Sequence, residues 1–538
     1  MTTFPALLGQ RLRRDGVQLL LWTVGTALLA YLTYVSVAQA YGTDEARASI
    51  LAVVMANPVI LLFRGLPSGA GEGAFMLFLI FPFLALLAGM MSSFLAVRHT
   101  RGDEEIGRAE LVAATRAGRQ TPLLATLTHG ILANVVLAAL SAAALTATGL
   151  EVRGSLVSGA GAGAVGLTFL GVGLVSAQLM RTSSGANSLA VWTLMLSFLT
   201  AGIGNALGTP SNDLQRMESS WLTWLSPFGW GEQTRPFADD NVGPIVLCAA
   251  LGMVLAGVAV ALQSVRDLGG SFVPEQRGRA GAPATLSTPP GLVARLTRPS
   301  IIGWGFGGMV TGLLATTLAA VIRDIGADNP ALERIIRAIA GGTDMEQATV
   351  VVFFTMLGIL AACCAVQTVC RARQEETHGT AELVLSGPVD RVRWLASFIV
   401  VAFIGILVVI AAALAGAAAG LASRDGDWAL LGDMAITGAG QIAAASVFIA
   451  TTAVIFVVAP RLTIPLGWAL VLVSMVLGLF GPLFGFPDWV VRLSPMGVAP
   501  IVTSDGVDVK GLWWLIAAVA VGGALALGLM RRRELAVG

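Results

Sequence analysis

Apolar residues run along this chain in long blocks separated by short polar segments. A helix of about 20 apolar residues crosses the hydrocarbon core of a bilayer, and twelve stretches reach that length. In the first half they are 17–38, 76–97, 122–145, 159–180, 188–207 and 242–265. The second half supplies 301–322, 348–369, 395–421, 434–459, 463–483 and 511–530. Asn205 and the Gly481-Pro482 pair mark the ends of two of these, 188–207 and 463–483, as re-entrant or broken. The fold class expected is an all-α polytopic membrane protein.

The polar segments between the blocks repeat. Asp103-Glu104-Glu105-Ile106-Gly107-Arg108-Ala109-Glu110-Leu111-Val112 returns without a gap as Glu375-Glu376-Thr377-His378-Gly379-Thr380-Ala381-Glu382-Leu383-Val384. Asn57-Pro58 pairs with Asn329-Pro330, Leu225-Ser226-Pro227 with Leu493-Ser494-Pro495, and Arg266-Asp267-Leu268 with Arg533-Glu534-Leu535. The offset stays near half the chain. About two thirds of the 33 Lys and Arg residues fall on the side that holds both termini and both copies of the charged motif, which the positive-inside rule assigns to the cytoplasm. Six crossings per half leave the copies facing the same way, so the twelve helices form two parallel six-helix repeats.

The domains expected are an amphipathic connecting helix at 1–16, a first transmembrane domain at 17–268, a flexible cytoplasmic linker rich in Gly, Pro, Arg and Ser at 269–291, a second amphipathic segment at 292–300, and a second transmembrane domain at 301–538. Phe4, Leu7, Leu8 and Leu12 share a face, with Arg11 and Arg14 beside them for lipid headgroups; Leu292, Leu296, Arg295 and Arg298 are the counterparts.

Composition agrees. Of 538 residues 56% are hydrophobic and 12% charged, and the mean hydropathy is +0.80; soluble domains carry about 25% charged residues. The 64 glycines suit helices that touch backbone to backbone in lipid. A net charge of +1 implies no nucleic-acid partner. Cys248, Cys363, Cys364 and Cys370 have no metal-ligand spacing and read as packing residues. The first 14 residues are short and basic and lead into a span too long for a cleavable signal. No phosphate-binding G-x-x-x-x-G-K-[ST], no H-E-x-x-H and no G-x-S-x-G occurs, so no catalytic, cofactor or metal residue is expected and the chain is not expected to be an enzyme. No span contains an internal Asp or Glu, and His129 is the titratable residue there. It reads as a packed, hydrogen-bonded side chain rather than a proton relay.

The two charged loops, 98–121 and 370–394, are longer than a connection requires. In helical register, Leu111 follows Gly107 by four and Glu110 follows Asp103 by seven, which puts acids on one face and apolar residues on another. Two copies of one pattern favour a docking surface for a soluble partner over a merely solvated loop.

With these residues in view, the chain resembles the ABC-2-type permeases: the charged loop with Glu-Glu-x-x-Gly-x-x-Glu-Leu after the second span, the Leu-Ser-Pro turn before the sixth, and the Arg-Asp/Glu-Leu ending. The double-length form is similar to the actinobacterial subgroup of antibiotic or multidrug exporters that includes the tetronasin-type permeases. The resemblance implies a type V exporter-like fold in the plasma membrane of an actinobacterium. It also implies two copies of a separate ATPase that carry the ATP and Mg. The loops would be coupling helices that dock those subunits through Glu104, Gly107, Glu110, Leu111 and Arg119, and through Glu376, Gly379, Glu382, Leu383 and Arg391. Arg108 facing Thr380, and Arg116 facing Pro388, point to unequal docking sites.

Further expectations follow from the same likeness. Trp221, Trp224, Pro227 and Phe228, with Trp230, would close the extracellular end together with Trp489, Pro495 and Met496, and with Phe486; the alternative reading is an aromatic belt. The second and fifth spans of each half would line a cavity for hydrophobic or amphipathic drugs. Its candidates are Phe78, Phe81, Phe83, Met90, Trp192, Met195 and Phe198, then Phe353, Phe354, Met356, Trp468 and Met475; the alternative is lipid contact or packing. A secondary transporter of the major facilitator type is the competing function, since it shares the six-plus-six layout. The absence of carboxylates inside the spans counts against it.

Overall fold

The computed structural model of the chain describes residues 3–55, 58–115, 117–273, 281, 283, 286, 288–326, 345–423, 428–480, 487–503 and 506–533. The chain divides into two compact units, Met1–Arg277 and Gly278–Gly538. Both are predominantly helical, because long apolar blocks without water can satisfy their backbone only within helices.

In the first unit the long helices are α1 (Thr3–Ala40), α4 (Glu72–Val97), α7 (Thr121–Ala147), α8 (Val152–Leu179), α9 (Ser183–Ala206) and α11 (Gly243–Val265). Two shorter ones, α2 (Asp44–Met55) and α3 (Pro58–Phe63), lie between α1 and α4. Helix α4 continues through a wide turn at Arg98–Gly102 into α5 (Asp103–Glu105), followed by α6 (Arg108–Ala113); α10 (Pro227–Glu232) precedes α11. Helix α8 is the centre of the unit and packs on α4, α7 and α11. Its glycines permit this: a Cβ at Gly171 would stand 2.7 Å from the Gly252 carbonyl oxygen of α11.

The second unit comprises α12 (Pro289–Gly326), α13 (Met345–Thr377), α14 (Thr380–Leu385), α15 (Arg391–Ala422), α16 (Ala429–Val458), α17 (Thr463–Met475), the short α18 (Asp488–Val491) and α19 (Leu512–Met530). Helices α12 and α15 cross at backbone contact: a Cβ at Gly416 would fall 2.0 Å from the Met309 carbonyl oxygen. Helix α13 packs on α16, and α16 on α19. A two-stranded hairpin occurs in each unit, Thr209–Pro210 with Met217–Glu218 and Ile501–Thr503 with Gly506–Asp508.

Among the described residues, 11 helices are long and apolar enough to cross a membrane. The remaining expected stretch, 301–322, is helical, inside α12, and its side chains from 318 on lie outside those described. The expected boundaries at 16/17 and 300/301 are absent. One helix runs from Thr3 to Ala40, with Pro5 tolerated in its first turn, and another runs from Pro289 through 301 even though Pro299 lies inside it. Helix α9 runs through Asn205 without a break, since that side chain is paired. Helix α17 does give way to a wide turn at Val476–Phe480. Asn57, Arg116, Asn329-Pro330, Gly481-Pro482, Phe486, Glu534-Leu535 and 11 of the 23 linker residues lie outside the described residues.

Candidate functional site

The repeated loop folds alike in both units, starting from a glycine. Gly107 has φ of 73° and Gly379 of 72°, a left-handed conformation that costs a side-chain-bearing residue strain. Each glycine ends one helical segment and starts the next, α6 or α14. The single helical register expected across the loop is therefore broken. Asp103 and Glu110 do not share one helix face, nor do Gly107 and Leu111.

Beneath each turn an acid is gripped by two arginines. In the first unit Arg101 Nη1 donates to Glu104 Oε2 at 2.7 Å, and Arg266 Nη1 donates to the same oxygen at 3.0 Å. A second Arg266 nitrogen reaches Glu104 Oε1, so that pair is two-pronged. In the second unit Arg373 Nη1 donates to Glu376 Oε2 at 3.0 Å, and Arg533 Nη2 lies 2.7 and 2.8 Å from its two oxygens. Arg119 donates to the Arg266 carbonyl, and Arg391 to the Arg533 carbonyl. The end of each unit's last long helix is thus tied to its charged loop. Sequence reasoning placed Glu104, Arg119, Glu376 and Arg391 in a docking surface; all four hold the corner together. The signal was present, as Arg-x-x-Glu occurs at matching positions in both copies, ahead of a matching Arg near each unit's end.

What these clamps present outward is a short acidic and apolar ridge. Leu111 is 73% exposed and Leu383 78%; Glu110 and Glu382 beside them are exposed as well. In the first unit this ridge borders a cavity of about 500 Å³ lined by Leu7, Arg11, Arg14, Arg108, Leu111 and Arg119. A wider groove of about 1060 Å³ in the second is lined by Glu382, Leu385, Asp390, Arg391, Arg393 and Arg531. Arg11 does not extend toward headgroups. It is buried, donating to the Pro122 carbonyl at 2.7 Å and to Thr126 at 2.6 Å.

The Leu-Ser-Pro turns are a second duplicated device. Ser226 Oγ accepts from the Phe228 amide at 3.1 Å, caps α10, and donates to the Ser197 carbonyl of α9 at 2.6 Å. Ser494 accepts from the Met496 amide at 3.2 Å and donates to the Ser474 carbonyl of α17 at 2.9 Å. Pro227 and Pro495 open the turns that follow. Phe228 is buried with ring centroids 5.6 Å from both Phe169 and Phe198, and Met496 is buried too. Trp221, Trp224 and Trp489 are exposed, and the Trp230 indole donates to the Trp224 carbonyl at 2.7 Å.

The cavity candidates separate. Phe78, Phe81 and Phe198 are core residues of the first unit, with Phe83, Met90 and Met195 packed around them. Phe354 is core in the second unit, with Phe353 against it. Met475 is half-buried, and Trp192, Met356 and Trp468 are exposed. Phe78 and Phe81 meet a residue that hydropathy missed, Glu232. It is buried and accepts from Asn205 Nδ2 at 2.6 Å, and burial pushes its carboxyl up to about 8.

His129 is not solitary, and among the described residues neither of its ring nitrogens has a hydrogen-bond partner. Its ring centroid lies 5.3 Å from that of His99, which bonds Asp15 of α1, and all three residues are buried. The continuity of α1 brings Asp15 into the helix layer, where the sequence showed no carboxylate.

Comparison with known proteins places this architecture. The family model described as the C-terminal domain of the multidrug efflux system permease Rv1217c matches residues 5–262 and 286–532. The multidrug efflux system permease protein Rv1217c of Mycobacterium tuberculosis is 34% identical over 534 residues, covering 98% of this chain and 94% of the relative.

Proposed function

Because the chain belongs to the multidrug efflux permease family, as a helical multi-pass membrane protein, we propose that it is the membrane subunit of an ATP-driven exporter of hydrophobic or amphipathic drugs. A separately encoded ATPase supplies the energy, two copies docking on the two exposed ridges. The chain itself carries no catalytic residue, cofactor or metal for that reaction. Its helices form two parallel repeats in a bacterial plasma membrane, with both termini and both ridges in the cytoplasm. Drug efflux rests on the family. ATPase coupling rests on one observation, the duplicated corner in which a buried Arg–Glu–Arg clamp holds Glu110-Leu111 or Glu382-Leu383 out to solvent. A rigid lever of this kind passes movement from a docked subunit to the long helices.

The proton-coupled alternative draws on the buried Asp15, His99, His129 and Glu232, but it leaves the paired ridges without a task. Two experiments separate the readings. Replacing Glu110-Leu111 and Glu382-Leu383 by Ala-Ala is expected to abolish drug export from cells while the purified chain keeps its melting temperature; normal export would exclude docking at these ridges. Vesicles containing the chain alone are expected to move no drug under an ion gradient, and gradient-driven transport would establish the alternative.

A further inference from the structure

We propose that Asp15, His99 and His129 form a binding site for one first-row divalent cation of borderline softness, Zn2+ being the best fit, that ties α1, the end of α4 and α7 together beside the first ridge. One ligand atom from each residue lies within 4.8 Å of the others. The three side chains are almost wholly buried, His129 completely, Asp15 at 3% and His99 at 2% exposure. Neither ring nitrogen of His129 has a hydrogen-bond partner among the described residues. An imidazole buried without a partner costs free energy that a ligand at the site would return. Two imidazoles and a carboxylate are a donor set suited to zinc, with a fourth position left for water.

The surroundings are arranged for this task. His99 Nε2 is aimed at Asp15, while its Nδ1 faces Asp103 Oδ2 at 3.7 Å. A carboxylate behind a ligating imidazole sets its tautomer and orientation. Asp103 belongs to the repeated loop and is itself held by Arg14 at 3.0 Å and Arg108 at 3.5 Å. Two guanidiniums oppose a dication here. Arg98 lies 3.2 Å from Asp15 Oδ1, which leaves Oδ2 for the metal; Arg11 spends its donors on Pro122, Thr126 and the His99 carbonyl. On binding, the cation takes the place of the proton shared by His99 and Asp15, which leaves to solvent. The second unit lacks the set. Arg371 stands at the place of His99 in the repeat, and Val401 at that of His129. The site is therefore a one-sided feature of the docking corner.

The test uses the full chain, purified, stripped with a chelator and titrated with Zn2+ or Co2+ alone. We expect one metal per chain that survives desalting, and a cobalt spectrum of low coordination number. His129→Asn and Asp15→Asn should each raise Kd at least about a hundredfold; His378→Ala, altering the exposed histidine, should leave it unchanged. The proposal fails if the wild-type chain retains no metal, if both substitutions bind like wild type, or if binding disappears with His378. Should a variant misfold, the wild-type stoichiometry and cobalt spectrum decide the matter alone.

Discussion

The two charged corners share a skeleton but differ in how deeply it is buried. Glu376 has 1% of its side chain exposed between Arg373 and Arg533, and Arg533 also stacks 4.3 Å over the Phe456 ring. Glu104 retains 12% and reaches the bordering cavity. The first corner adds what the second lacks, a histidine and aspartate cluster and the cavity beside α1. Retention of the clamp with divergence of its surroundings indicates that the clamp was the constrained part.

The comparison can be broken at the clamp. Glu376→Ala leaves two buried guanidiniums without their carboxylate and should cost about 3–5 kcal/mol. Glu104→Ala should cost clearly less, since water reaches that pocket; thermal melts of the two purified variants check the order. Equal losses would show the corners to be energetically alike.

Glu232 sharpens the asymmetry at the Leu-Ser-Pro turns, where Pro500 occupies the matching place in the second unit. Its folded value of about 8 lies above the ordinary 4.5. Between those values the folded chain holds a proton that the unfolded chain has released. This contribution to stability is complete below about pH 4.5 and is lost as pH rises to about 8, at roughly 1.4 kcal/mol per unit. Glu232→Gln should remove that decline in melts recorded across the range, and an unchanged slope would place the proton elsewhere.

The smallest effect is expected at the turns. Gly107→Ala and Gly379→Ala meet no steric obstacle, yet each forces a side chain into the left-handed region at about 1–2 kcal/mol. Equal penalties in melts would confirm that the two turns are one device.

Much of this was legible beforehand for a specific reason. The repeated decapeptide marked both corners, and its glycines marked the turns, because a left-handed residue has few substitutes. The exposed leucines also stood out, as apolar residues within charged loops. Register across the loop was misjudged because local periodicity carries no notice of a φ reversal. Arg11 was read from its own helix as lipid-facing, whereas the carbonyl it serves is 111 residues away.

Apolar block length, the helical class and the duplication are local or self-comparative properties, and the sequence by itself determined them: burying a backbone in hydrocarbon leaves helices as the solution for such blocks. The tertiary structure alone decided that Glu104 pairs with Arg266, 162 residues on, that Glu232 turns inward to Phe78 and Phe81, and that Asp15 meets two histidines. Those outcomes depend on how helices pack and on which charges packing strips of water, and neither can be read from a single helix.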